Sequence, residues 1–247
     1  MAVLTLLLSL LTAGADDLKV VTSPVDGCFA IAGATTSDKA IILYDDQDAE
    51  VVRTVVDCLM SDLKAVTKKT FMKYRTEPTS LKNPIIVGTI GQSCHIDQLI
   101  RDGKLDVSDV EGKWEAFGMQ VVDNTMEGVE RALVIFGAQP RGTAYGMFQL
   151  SRMAGVSPWI WWADVTPTTR TQLYVTPGRY VSGSPSVRFR GIFLNDEDFG
   201  LRPWAAKKMD TSLNNFGPKT YAAIMELLLR LRANTLWPAM HAGSRAF

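Results

Sequence analysis

Short apolar strands alternate with amphipathic helices along nearly the whole chain, and that alternation restricts it to a mixed α/β architecture. Residues 29–32 and 40–44 read as strands separated by the polar turn Thr35-Thr36-Ser37-Asp38. Asp48 opens a helix whose apolar positions Val51, Val52, Val55, Val56, Leu59 and Leu63 keep helical spacing. Asn83-Pro84 punctuates, and Ile85-Ile86-Val87-Gly88 reads as a buried strand. Ser93 stands where a helix cap belongs, ahead of Ile96, Leu99 and Ile100. Residues 117–122 and 132–136 are the next strands, and 143–153 form a helix packed through Met147, Phe148 and Leu150. Gly142 and Gly146 are expected to let that helix approach the sheet closely. Together these segments predict a compact α/β unit.

From Pro158 to Pro177 the texture changes. Pro158-Trp159-Ile160-Trp161-Trp162-Ala163-Asp164 is followed by further prolines and β-branched residues, which resist helix, so an interdomain connection is expected here. Beyond it, 187–194 reads as a strand in which Arg188 and Arg190 alternate with Phe189 and Ile192. A long polar loop leads to an amphipathic helix over 218–233, carrying Tyr221, Ile224, Leu227, Leu228 and Leu231. Thr235-Leu236-Trp237 starts another strand. Strand, helix and strand with so long a crossover predict a parallel βαβ unit. Parallel strands need cover on both faces, so a single such unit reads as the opening of a larger array.

The ends of the chain and its composition narrow the function classes. Val3 to Leu11 is apolar but too short to span a bilayer, and Ala13-Gly14-Ala15 follows it. This reads as a secretory signal peptide over residues 1–15, cleaved after Ala15, although its n-region carries no Lys or Arg. The alternative is a buried first strand or helix. No later stretch reaches the length of a membrane helix. Lys+Arg and Asp+Glu are equal at 26 each, and no dense basic stripe interleaves with aromatics, so nucleic acid is not an expected partner. Lys68, Lys69, Lys73 and Arg75 read as a solvated helix end. Three cysteines, Cys28, Cys58 and Cys94, are too few for a disulfide framework and are expected to be buried free thiols, with one disulfide an open alternative. With only His95 and His241 available, no metal site is expected.

Three segments can carry chemistry. In Arg190-Gly191-Ile192-Phe193-Leu194-Asn195-Asp196-Glu197-Asp198, an apolar strand delivers an amide and three carboxyls at its C-terminal end, which in βα-barrels faces the active-site mouth. A pair of carboxyls, one protonated and one ionised, is what glycosidic hydrolysis needs. The competing reading is a polar loop or cap cluster. In Asn234-Thr235-Leu236-Trp237-Pro238-Ala239-Met240-His241, Trp237 suits stacking on a sugar face and His241 can donate to a carboxylate or hydroxyl. A core tryptophan with a surface histidine is the alternative. Trp159, Trp161 and Trp162 with Asp164 suit domain-interface packing or sugar stacking. Two further motifs fail. Gly88-Thr89-Ile90-Gly91-Gln92-Ser93 lacks the lysine of a phosphate loop, and Arg141-Gly142-Thr143-Ala144-Tyr145-Gly146 contains no nucleophile elbow.

These strings resemble glycoside hydrolase family 115. The likeness runs through Gly191-Ile192-Phe193-Leu194-Asn195-Asp196-Glu197, through 217–240, and through Gly103-Lys104-Leu105-Asp106, Gly112-Lys113-Trp114-Glu115, Arg141-Gly142-Thr143 and the Trp159–Asp164 segment. The resemblance implies an exo-acting, inverting xylan α-1,2-glucuronidase, releasing glucuronic acid or its 4-O-methyl form from glucuronoxylan without metal or organic cofactor. It implies an N-terminal α/β sandwich-like domain, here 16–165, then a linker over 166–186. The first βαβ portion of an incomplete TIM-type barrel follows over 187–247. Asp196 and Glu197 are the matching acidic positions, and Asn195, Trp237, His241 and Trp162 are the expected substrate contacts. A carbohydrate-binding or structural module without catalysis is the alternative reading of a chain with only two barrel strands.

Overall fold

In a computed structural model of the chain, residues 17–35, 37–78, 81–194 and 200–238 are described. The chain opens with β1 (Val20–Val21), β2 (Phe29–Ala32), β3 (Ile41–Tyr44), α1 (Glu50–Thr67), β4 (Met72–Tyr74), β5 (Pro84–Thr89) and α2 (Cys94–Arg101). It continues with β6 (Phe117–Met126), β7 (Val129–Gly137), α3 (Pro140–Met153), β8 (Leu173–Val175) and β9 (Arg179–Ser182). The last part holds β10 (Gly191–Leu194), α4 (Leu201–Lys208), α5 (Pro218–Arg230) and β11 (Thr235–Pro238). The architecture is mixed α/β, as the alternation requires.

Among the described residues, the largest sheet has six strands in the order β4-β3-β5-β7-β6-β9. β4, β3, β5 and β7 run parallel, while β6 is antiparallel to both β7 and β9. Side chains alternate across this sheet as the pleat demands. Ile42, Tyr44, Ile85, Val87, Leu133 and Ile135 join α1 and α3 in one core. Leu43, Ile86, Ala132, Val134 and Phe136 turn to the other face, where α2 supplies Ile96 and Leu99. Parallel strands buried on both faces read as the near-continuous apolar runs seen at 85–87 and 132–136. α1 buries Val52, Val55, Val56, Leu59 and Leu63, each worth about 1.5–3 kcal/mol of transfer.

The expected close approach of α3 is present. A Cβ on Gly142 would lie 2.4 Å from the Ala116 carbonyl oxygen, and one on Gly146 would lie 2.7 Å from Ile135 Cγ2. Any larger residue would push the helix off the sheet.

Several expectations change. Residues 166–186, read as a linker, contain β8 and β9. β8 pairs with β1 and β2, and β9 completes the six-stranded edge beside β6. Proline and threonine there disfavour helix but not short strands, and the segment finishes the N-terminal sheets. The strand expected over 187–194 begins only at Gly191; before it, Arg190 Nη1 bonds the Val187 and Arg188 carbonyls of its own segment. The polar loop expected before residue 218 holds α4. Ser93 is the N-cap of α2, but its hydroxyl does not cap. The Asp45 carboxylate at the end of β3 instead accepts the Cys94 amide at 2.7 Å. The three cysteines are free thiols; Cys94 is exposed and the other two are half-buried rather than buried. The leader expected over 1–15 lies outside the described residues.

Candidate active site

β10 and β11 pair in parallel, with Ile192 opposite Leu236, Phe193 opposite Trp237 and Leu194 opposite Pro238. α4 and α5 lie on one face of this pair. There Ile192, Leu194 and Leu236 pack with Ala205, Ile224 and Leu228. Alternation turns Phe193 and Trp237 to the opposite face, where they are 63% and 62% exposed. Their rings meet edge to face, 5.7 Å apart at 77°. An indole braced this way offers a flat apolar plate, and the CH-rich face of a pyranose is the complementary surface. Gly191 permits the pairing: a Cβ there would fall 1.8 Å from the Thr235 carbonyl oxygen.

Asn195, Asp196 and Glu197, which follow Leu194, and His241, which follows Pro238, lie outside the described residues. What the structure does describe is the pair of strand ends from which they continue, set directly opposite each other. Trp162 is placed elsewhere. It packs on the helix side of β10 and tilts against Trp204, with ring centroids 5.2 Å apart. The sheet therefore separates it from Trp237, and packing is the role its position describes.

The starts of both strands are anchored by a residue that periodicity does not reveal. Glu115 has its side chain 1% exposed and its backbone in the left-handed region at φ 53°. Its carboxylate accepts from Arg141 Nη1 at 2.6 Å, from Asn234 Nδ2 at 3.0 Å, and from Arg190 Nη2. Arg190 and Asn234 immediately precede β10 and β11, and the Asn234 Oδ1 accepts the Arg190 amide at 3.0 Å. Burial pushes the Glu115 carboxyl up, but the hydrogen bonds from Arg141, Arg190 and Asn234 outweigh it and hold the group below its ordinary value. Arg188 adds a cation over the Trp114 ring, 5.3 Å from its centroid. The only sequence signal was an acid embedded in the Gly112-Lys113-Trp114-Glu115 string.

A second set of contacts holds α5 against the N-terminal sheets. Arg230 makes two bonds to Asp62 of α1, at 2.8 and 2.9 Å, with both side chains 4% exposed. The Tyr145 hydroxyl of α3 donates to the Ala233 carbonyl at 2.9 Å. Arg232 reaches Gln149 and Tyr180.

The other motifs resolve as structure. At the C-terminal edge of the parallel strands, an anion would have to use the amides at the starts of α1 and α2. Asp48 already accepts the Ala49 amide at the start of α1 and the Thr89 amide at the end of β5, both at 2.7 Å, and Asp45 accepts that of Cys94. The protein's own carboxylates fill the place of a phosphate. Burial pushes the Asp48 carboxyl up. Among the described residues, no group of three or more His, Cys, Asp or Glu could hold a metal ion. No described helix is long and apolar enough to cross a membrane.

A model of glycosyl hydrolase family 115 matches residues 182–247. A solved structure of a novel family GH115 4-O-methyl-α-glucuronidase with specificity for decorated arabinogalactans is 41% identical, with a TM-score of 0.72 over 86% of this chain. The match takes in 26% of that protein's own chain, so the present chain spans about a quarter of its relative. A mutant β-hexosaminidase from Streptomyces plicatus, solved with its product GlcNAc, matches 92% of this chain and 33% of its own at 12% identity and a TM-score of 0.50, a likeness of fold alone. No curated protein matches.

Proposed function

The chain belongs to glycoside hydrolase family 115, and from that membership we propose that it is the N-terminal part of a secreted α-1,2-glucuronidase. The enzyme removes glucuronic acid, or its 4-O-methyl form, from glucuronoxylan with inversion. β10 and β11 are then the first two strands of a TIM-type barrel. Their aromatic face, Phe193 and Trp237, looks into its lumen, and their C-terminal ends form part of its mouth.

The observation that carries this reading is the parallel register that sets Leu194 against Pro238. Asp196 and Glu197 continue from one strand end and His241 from its neighbour, which supports one shared site for acid, base and uronate recognition. In an inverting mechanism one carboxyl protonates the leaving glycosidic oxygen while an ionised one draws a proton from water on the opposite face, with the two groups roughly 6.5–9.5 Å apart. Asp196 and Glu197 are the candidates for these tasks. Later strands of the barrel supply whatever carboxyl partner they need. His241 donates to the uronate carboxylate, a charge-assisted contact, while Asn195 bonds a ring hydroxyl and Trp237 stacks on the sugar. No cofactor is needed.

The alternative is a carbohydrate-binding or structural module with no catalysis of its own. The exposed lumen face favours it for this chain in isolation, since Phe193 and Trp237 have no opposing strands among the described residues. The two readings agree if the 247 residues act only within a longer protein.

The experiment is turnover by the full-length parent on a polysaccharide panel. Release of 4-O-methylglucuronic acid from glucuronoxylan is expected, falling roughly a hundredfold or more in Asp196→Ala and in Glu197→Ala. Unchanged turnover in both variants removes these residues from the site. Preferential release from decorated arabinogalactan would move the main-chain specificity to that of the solved relative. The isolated 247-residue chain is expected to hydrolyse nothing, and N-terminal sequencing of secreted material tests cleavage after Ala15.

A further inference from the structure

A groove of 510 Å³ runs between α1 and α5, on the side of α5 opposite to the one packed on β10 and β11, and Cys58, Ala65 and Ile160 give it an apolar lining between its polar side chains. One wall is a single face of α1, where Thr54, Asp57, Ser61 and Asp62 recur at helical spacing. The other wall is Glu226 and Arg230, and Trp161 forms the rim.

Trp161 is unlike its neighbour Trp162. Its indole is 51% exposed, yet it is oriented, because Nε1 donates to Glu226 Oε1 at 3.1 Å. Together with Cys58, Ala65 and Ile160 of the groove, the exposed indole adds to an apolar surface of the kind that a ligand covers. The same indole borders a second hollow of 520 Å³, floored by Val55, Phe148 and Leu229, so the covered surface extends beyond one ring.

Charge selects the occupant. Arg230 is consumed by Asp62 and by Glu226, and the Lys73 ammonium pairs with Asp57 at 2.5 Å. Within this groove Asp57, Asp62 and Glu226 outnumber the two paired cations, so no described side chain there offers a free positive charge to a uronate; Lys219 lines the second hollow instead. The Ser61 hydroxyl makes no hydrogen bond among the described residues and faces the groove. Cys58 brings no charge either, since burial pushes its thiol up to about 12.

We infer that this groove binds a neutral saccharide chain, with one pyranose face stacked on Trp161 and its hydroxyls bonded to Ser61 and Asp57. The ligand is the undecorated main chain of the polysaccharide rather than its acidic branch. This rests on the glycoside hydrolase reading for its substrate class, but its test is separable from it.

Binding is measured by titration calorimetry on the full-length protein with xylohexaose and, separately, a galactohexaose, which distinguishes the two main chains. Trp161→Ala is expected to weaken binding of one of them roughly tenfold. Trp161→Phe retains most of the affinity, because the stacking plate survives. Ser61→Tyr, which fills the groove from the opposite wall, weakens binding as far as the alanine variant does. Hydrolysis of a small nitrophenyl α-glucuronide, which is too short to span the groove, stays unchanged in all three. Equal affinity of wild type, Trp161→Ala and Ser61→Tyr, or no binding of either hexasaccharide by wild type, overturns the inference. Displacement of the hexasaccharide by free glucuronic acid in a Trp161-dependent manner overturns the neutral assignment. If wild type fails to cleave the glucuronide while groove binding persists, the activity proposal falls and the groove stands.

Discussion

Glu115 shows how one side chain can hold a strained backbone. A left-handed conformation in a residue other than glycine costs about 1–2 kcal/mol, and three donors from three separate segments offset it. Because the folded carboxyl lies below its ordinary value, its contribution is complete above the unfolded-state value and disappears as pH falls through the folded one. Glu115→Gln is therefore expected to cost about 2 kcal/mol at neutral pH, and the gap from wild type is expected to narrow as pH falls from about 5 toward 3. Urea denaturation of both proteins across that range checks it; a gap of constant size would show that the charge plays no part. The residue scale is also where sequence reading was weakest. Arg190 and Asn234 flank strands in the sequence, but nothing local says that both converge on an acid more than 70 residues earlier.

At the scale of elements, helices are stopped and started by groups far from their own termini. α5 begins with Gly217 and Pro218, a start legible in the sequence because proline at the first helical position loses no needed hydrogen bond. Its free amides, however, go to Asp210. That carboxylate accepts from the Lys219 amide at 3.2 Å, the Thr220 amide at 2.9 Å and the Thr220 hydroxyl at 2.5 Å. Asp210→Ala is expected to cost about 1–2 kcal/mol and to speed amide exchange at residues 219–222, with the C-terminal turn of α5 unaffected. Uniform exchange along the helix would refute Asp210 as its cap. Ser93 before α2 illustrates the opposite error. A serine in the right place looks like a cap, yet a carboxylate from β3 occupies the amide instead. Local chemistry names the positions of caps, while the donor and acceptor that meet there depend on which elements become neighbours.

For the whole molecule, the decisive contact joins residues 168 positions apart. Arg230 of α5 and Asp62 of α1 form a bidentate, buried pair that docks the helix behind β10 and β11 onto the N-terminal sheets. Removing one partner strands the other charge away from water, so Arg230→Ala is expected to cost about 3–5 kcal/mol, and replacing both by Met and Leu recovers most of that. Thermal denaturation of the single and double variants checks this; additive losses would mean that the pair is not coupled. The same logic explains how the segment expected as a linker came to finish two sheets. Short strands such as β8 and β9 have no periodicity long enough to read, and they exist only because β2 and β6 present unpaired edges. By itself the sequence determined the elements whose hydrophobic period runs for several turns or residues: α1, α3 and α5, the buried strands β5 and β7, and the parallel pairing of β10 with β11 across their helix. It also determined the order of acids, aromatic and histidine at the ends of that pair. Only the tertiary structure decided that Trp237 faces away from Trp162, that Trp161 stands open at the rim of the groove between α1 and α5, and that Glu115 ties both strand starts together. Periodicity is a property of neighbours along the chain, whereas burial, charge pairing and the choice of face depend on partners that only folding brings within reach.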